Sequence, residues 1–241
     1  MAEKLPQIAV DPDFYSMGPS YGTDPQDFQS ETTSIASAIH KGRMENGRRY
    51  QATKEEDYWD PSDQQQFEAF EIGHMVFLVL DHNQPNSLFR APIGNSPKNI
   101  MDIGTGQGSW AIDVADLYPS ATVRGVDIFP PPVSWMPPNC IFEVDDVLRE
   151  WTWRDPFDFI HLRLMYGAFN SDGWAQLYKQ AYDALEPGGW IEQMELDGPM
   201  FVRLAERAGR SLRTHETMRN AIEKAGFADV YEEKYKIPLG P

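Results

Sequence analysis

The stretch NIMDIGTGQGSW, Asn99 to Trp110, constrains the fold more than any other part of the chain. Its apolar run, Asn99–Ile103, reads as a short strand. Three glycines follow at alternate positions, Gly104, Gly106 and Gly108. Glycine there permits a tight turn and a close approach of ligand to backbone. A helix opening near Ser109 points its free amide donors at whatever lies on that turn. A phosphate-binding P-loop needs a Lys and a Ser or Thr after its glycines, and the dinucleotide fingerprint needs G-x-G-x-x-G. Here the third glycine comes one residue early and Ser109 takes the fingerprint position. Asp102, at the end of the strand, would repel a pyrophosphate and suits a ligand bearing an ammonium group. The loop therefore favours a nucleoside joined to an amino acid and disfavours a nicotinamide reductase.

Two more strand-end acids belong with it. The strand TVRGVDI ends in Asp127, nineteen residues after Gly108. A carboxylate there can accept both ribose hydroxyls, a feature that nicotinamide and adenosyl cofactors share. The run FEVDDV supplies Asp146, which could accept from an adenine amino group, while the Val147 amide donates to a ring nitrogen. Asp145 is the alternative if the register slips by one. Three acids in order, Asp102, Asp127 and Asp146, then surround the crevice at the carboxyl ends of the strands, where open α/β sheets bind ligands.

The rest of the chain supports that layout. Strand-like runs at Thr122–Asp127, Cys140–Val144, Phe157–Leu162 and Trp190–Leu196 alternate with helical ones at Ser109–Tyr118, Asp172–Leu185 and Thr214–Ala225. Gly226 would cap the last helix, and Asp229–Ile237 would close the sheet as a strand. This order predicts an α/β fold with a mostly parallel, three-layer sheet. Ahead of it, residues 1–30 are polar and rich in Pro, Gly and Ser, and read as a flexible arm. Ser34–Tyr50 is mildly helical in pattern. DQQQFEAFEIGHMVFLVLDH is a stronger helix, with Asp63 as its cap and Phe67, Phe70, Ile72, His74, Phe77 and Leu78 on its apolar side. These two helices would pack on a core or form a lid. The layout gives an arm over 1–30, a helical lid segment over 31–95 and a cofactor domain over 96–241. Between Leu196 and Thr214 there is little room for a crossover and an acceptor cap, which implies a small cap or a sequence lacking parts of the natural chain.

A net charge of -16 argues against a general electrostatic grip on DNA, RNA or anionic membrane. No run is long enough to span a bilayer. The N-terminus has no basic segment followed by an apolar one, and the lone Cys140 can form no internal disulfide; both point to the cytosol, the nucleus or both. His40, His82 and His215 show no metal spacing, so no metal is expected.

These residues carry a resemblance. IMDIGTGQGSWAIDVADLYPSATVRGVDI resembles the first two motifs of class I S-adenosylmethionine-dependent methyltransferases. PPPVSWMPPNCIFEVDDV, WTWRDPFDFIHLR, LYKQAYDALEPGGWIEQME and the N-terminal ENGRRYQ with YWDPSDQQQ resemble the fungal LaeA-like methyltransferases, a group tied to secondary metabolism. The resemblance covers roughly Glu45–Leu196 and returns at AGFADVYEEKYKIPLGP. It implies a Rossmann-like fold with a seven-stranded, mostly parallel sheet, helices on both faces and an N-terminal helical lid, with S-adenosylmethionine as cofactor.

By that resemblance, Asp102, Gly104, Thr105, Gly106 and Gly108 would hold the methionyl part. Asp127 would hold the ribose, Ile128 would lie against the adenine, and Asp146 with Val147 would read the adenine edge. His161 and Arg163 would lie past the fourth strand, facing the methionyl end or the acceptor, and Tyr50 and Tyr58 would come from the lid. Trp110 would pack over the loop or bury into the sheet. The group often carries an arginine in the helix before His74, where this chain reads QQQFEAFEIGH.

Methyl transfer from a sulfonium is an in-line substitution that needs alignment and exclusion of water, and a general base only if the acceptor arrives protonated. His161 is the candidate base; the alternative is a ring that binds the cofactor carboxylate or fills space. Arg163 would bind an acidic acceptor or form a salt bridge. Trp59, Trp135, Trp151 and Trp153 would line an aromatic acceptor pocket or pack in the core. The acceptor is a small molecule or a protein side chain. The alternative function is a LaeA-like regulator acting through protein partners with weak or no transfer to free substrate.

Overall fold

The structure is a computed structural model that describes residues 42–51, 58–84, 86–196 and 213–236. The expected arm over 1–30 and the span 197–212 lie outside the described residues.

A five-stranded, wholly parallel sheet forms the frame. In chain order its strands are β3 (Asn99–Ile103), β4 (Thr122–Asp127), β5 (Cys140–Val144), β6 (Phe157–Arg163) and β7 (Leu185–Met194), arranged β5-β4-β3-β6-β7. Helices α2 (Ser109–Leu117), α3 (Ser171–Ala184) and α4 (Thr214–Ala225) flank it. Strands covered on both faces must be apolar on both, and side chains alternate between two cores. Ile100, Val123 and Phe159 pack with Trp110 and Val114 of α2. Their neighbours Met101, Ile103, Val126, Ile160 and Leu162 pack with Leu177, Tyr178 and Ala181 of α3 and Ile222 of α4. The three-layer α/β expectation holds.

Among the described residues the main sheet has five strands, not the seven expected. Residues 229–236 form no strand. Asp229 has a left-handed φ of 53°, which breaks an extended run. The segment meets β7 and α4 instead: Tyr231 stacks on Trp190 of β7 with centroids 6.4 Å apart, and Arg219 of α4 donates to the Val230 carbonyl. β7 also starts earlier than expected. EPGGW is not a terminal turn; Gly188, at φ 89°, sits within β7 near a register shift between Phe157 and Phe159.

The described part of Ser34–Tyr50 is no helix. It is an antiparallel hairpin, β1 (Arg43–Glu45) and β2 (Arg48–Tyr50), turned at Asn46 and Gly47 with φ of 48° and 78°. The strong helix is α1 (Gln64–Leu80), capped by Asp63, which accepts from the Gln66 amide. Its buried face is narrower than expected. Phe67, His74 and Phe77 are buried, whereas Ile72 is 64% exposed. Asp63 also takes a bidentate pair from Arg48 at 2.6 and 2.8 Å, which ties the hairpin to α1. Among the described residues no helix is long and apolar enough to cross a membrane.

Candidate active site

The carboxyl ends of β3, β4 and β6 open onto a cleft of about 1000 Å³, counted out to its mouth. The glycine turn forms one wall. The Gly104 and Thr105 amides donate to the Val126 carbonyl at 2.8 and 3.2 Å, strapping the turn to β4. Gly104 and Gly106 hold φ of 69° and 58°, a region closed to most side chains. A Cβ on Gly104 would strike the Met165 thioether, and one on Gly106 would press Phe70 at 3.3 Å.

Of the expected site residues, all but Tyr50 and Gly108 line this cleft. Gly108 lies behind it as the N-cap of α2, at φ 87°, against Phe142. Tyr50 is fixed elsewhere by its strand pairing, bridged to Pro61 with Arg43 over its ring. Tyr58 does reach the cleft, and burial beside Asp60, Asp127 and Tyr166 pushes its phenol up.

Asp127 faces the cleft with both oxygens anchored. Oδ2 accepts from the Gly106 amide at 2.8 Å and Oδ1 from the Phe129 amide at 3.1 Å. Burial raises its pKa to about 6, against the pull of those amides and of Ile128. Asp146 Oδ1 accepts from the Leu148 amide at 3.0 Å, and the Asp145 alternative also lines the cleft.

Asp102 is only 3% exposed. Its Oδ2 accepts from the Thr105 hydroxyl at 2.7 Å and its Oδ1 contacts His161 Nδ1 at 2.8 Å. His161 stands inside β6 rather than past it, directly opposite Asp102 in the register. Its ring lies flat on Trp110, 3.8 Å between centroids and 5° between planes. Trp110 is therefore buried into the sheet, with its indole donating to the Leu88 carbonyl.

Arg163, the last residue of β6, extends over Phe77 with its Cζ 5.0 Å from the ring centroid, and donates through NH2 to His74 Nδ1 at 3.0 Å. Burial lowers its pKa, and Asp102 and Asp113 partly offset this.

Sequence reasoning missed Phe70, Gln107, Leu164, Met165, Ala168 and Phe169 in the lining. Phe70 was assigned to a packing face, and the others lie in turns whose side chains follow no period. The tryptophans do not form one pocket. Trp151 and Trp153 meet edge to face and pack on the α3 side of the sheet, Trp135 is 64% exposed, and Trp59 lies 6.2 Å from the Tyr166 ring. Cys140 is a buried free thiol that burial pushes up to about 12. Among the described residues no group of three metal-ligating side chains converges.

Residues 81–232 match the family described as a methyltransferase domain. The chain belongs to that methyltransferase family. Methyltransferase pytC of Aspergillus terreus is 33% identical over 99% of this chain and 76% of its own length. The secondary metabolism regulator LAE1 of Cochliobolus heterostrophus is also 33% identical, over 83% of this chain and 72% of its own. Among solved structures, human N-acetylserotonin methyltransferase in complex with SAM shares the fold, with a TM-score of 0.51 and 20% identity over 71% of this chain. The methyltransferase described here spans half the length of that structure. Family and fold make it a class I S-adenosylmethionine-dependent methyltransferase of the LaeA-like group.

Proposed function

We propose that the cleft binds S-adenosylmethionine and that the methyltransferase passes its methyl group to a small-molecule acceptor. The observation that carries this reading is Asp127. Its oxygens are held by backbone amides, Gly106 on Oδ2 and Phe129 on Oδ1 with Ile128 also drawing on the carboxylate, and they keep lone-pair capacity toward the cleft, the arrangement that two vicinal hydroxyls need.

The other residues fit the same ligand. The Gly104–Gly106 backbone and the start of α2 form a cradle that a β-carbon would fill. Asp102 has two of its roughly four lone-pair sites taken and offers the rest to an ammonium group. Asp146, Val147 and Ile128 lie where the adenine would be read and covered. Arg163, at the end of β6 on the cleft, would face the carboxylate of the methionyl end. When bound, the cofactor supplies a methyl group already activated by a sulfonium charge. The chain's task is alignment and exclusion of water. His161, held by Asp102 and stacked on Trp110, positions Asp102 rather than moving as a free base.

We assign residues 31–95 as a lid segment over the 96–241 cofactor domain. A cytosolic or nuclear enzyme fits the lone buried Cys140. The pytC relative, a methyltransferase by name that matches along 99% of this chain, supports transfer activity. The LAE1 relative supports the second reading, a regulator acting through a protein partner.

Photolabelling with S-adenosylmethionine carrying a tritiated methyl group tests the assignment. Label should enter the wild-type chain and be displaced by S-adenosylhomocysteine but not by NADH. Absence of label in folded protein, or displacement by NADH, overturns it. Incubation with a fungal extract should move label into the low-molecular-weight fraction; label only in protein contradicts the acceptor class.

A further inference from the structure

Arg163 is the single Lys or Arg that lines the cleft among the described residues. Its guanidinium is largely buried; among the described residues no carboxylate contacts it directly, and Asp102 and Asp113 act on it from farther off. Those carboxylates offset the burial only in part, so an anionic ligand group beside the guanidinium would be favoured. What holds the guanidinium is His74 of α1. A guanidinium cannot accept a hydrogen bond, so Nδ1 accepts from Arg163 NH2 and the ring proton lies on Nε2. Nε2 then donates to Asp113 Oδ2 of α2 at 2.9 Å. His74 is 6% exposed and lines the cleft itself. Three elements, α1, α2 and β6, thus meet in one hydrogen-bonded chain that ends on Arg163, the one cleft cation among the described residues.

We propose that His74, oriented by Asp113, is a positioning residue that aims Arg163 at the carboxylate of the bound cofactor, and so makes α1 part of the cofactor site. This rests on the cofactor reading above. Arg163 carries five N–H donors; one faces His74, and its Nε and NH1 make no hydrogen bond to the described protein. Without the His74 ring, only the Phe77 face would hold the guanidinium, and it would lose its fixed aim.

The test compares S-adenosylmethionine with its decarboxylated form, which differs only by the carboxylate. Affinities are measured by calorimetry on wild type, His74→Gln, His74→Asn and Asp113→Asn, each checked for its thermal unfolding midpoint. Gln can replace Nε2 toward Asp113 but offers nothing at Nδ1. Asn can replace the Nδ1 acceptor. Wild type should prefer the intact cofactor about tenfold or more. His74→Gln should lose that preference while keeping its affinity for the decarboxylated form. His74→Asn should recover much of the preference, and Asp113→Asn should lose part of it. Equal weakening of both compounds in His74→Gln would make His74 a packing residue and overturn the proposal, as would an unchanged preference. Failure of wild type to bind either compound would instead overturn the cofactor reading itself, and the positioning role with it.

Discussion

His161 lies flat against Trp110, with 3.8 Å between ring centroids, and its Nδ1 contacts buried Asp102 at 2.8 Å. The pair joins the first strand of the cofactor domain, its glycine turn and its first helix. Removing the imidazole leaves a cavity under Trp110 and a buried carboxylate with one partner lost. His161→Ala should therefore lower stability by about 2–4 kcal/mol, and His161→Asn, which keeps a donor, by less. Urea unfolding checks this. A loss below about 0.5 kcal/mol would mean that Asp102 does not depend on His161.

The glycine turn makes a second test. Gly106 has φ 58° and its added Cβ would press Phe70; Gly104 has φ 69° and would strike Met165. Gly104→Ala and Gly106→Ala should each cost about 1–3 kcal/mol of stability from strain in a left-handed backbone. Both should also weaken S-adenosylhomocysteine binding. Calorimetry that shows unchanged affinity with either variant would remove that glycine from the cofactor cradle.

Asp63 tests the link between the hairpin and α1. It caps α1 and takes two bonds from Arg48. Asp63→Ala should cost about 1–3 kcal/mol, and Asp63→Asn, which keeps the cap and loses the ion pair, less. Hydrogen exchange should show the loss concentrated in residues 43–50 and the first turn of α1. Uniform loss of protection would argue that hairpin and helix have no local connection.

Burial also predicts a pH dependence. The carboxyls of Asp60 and Glu195 are pushed up to about 7, and that of Asp127 to about 6. A carboxyl raised on folding binds its proton more tightly in the folded chain. Its contribution is present below the unfolded value and lost as pH rises through the folded one. The unliganded protein should therefore gain stability as pH falls from about 8 to about 5, by about 2–4 °C in midpoint for each kcal/mol. Asp63, held well below the usual range by Arg48, acts oppositely and only below about pH 4. Glu195 accepts from the Met165 and Tyr166 amides and so closes the turn at Leu164, whose φ is 57°. Glu195→Gln should flatten part of the profile; an unchanged profile would exclude Glu195 as a source.

The glycine turn and the strand-end acids were legible because both follow from backbone rules. Parallel strands buried on two faces read as apolar runs, and their ends mark the crevice where Asp102, Asp127 and Asp146 fall. Contacts between elements were not legible. His74 on an apolar helix gives no signal of Asp113 and Arg163, which are remote in sequence. Arg163 looked like a residue beyond the strand end because one residue of extra strand length is invisible in an apolar run. Asn46–Gly47 did carry a signal: that pair is a strong hairpin marker, outweighed here by the absence of proline. The segment after Gly226 alternates enough to suggest a strand, but its charges and the left-handed Asp229 keep it from pairing.

The central claim is that Asp127 holds the ribose of an adenosyl cofactor. Calorimetric titration of S-adenosylhomocysteine into wild type and Asp127→Ala tests it most directly. Wild type should bind, and the variant should bind about 10- to 100-fold more weakly, the loss expected for about 1.5–3 kcal/mol of charged hydrogen bonding. Equal affinity in the folded variant, or no binding by folded wild type, would contradict the account.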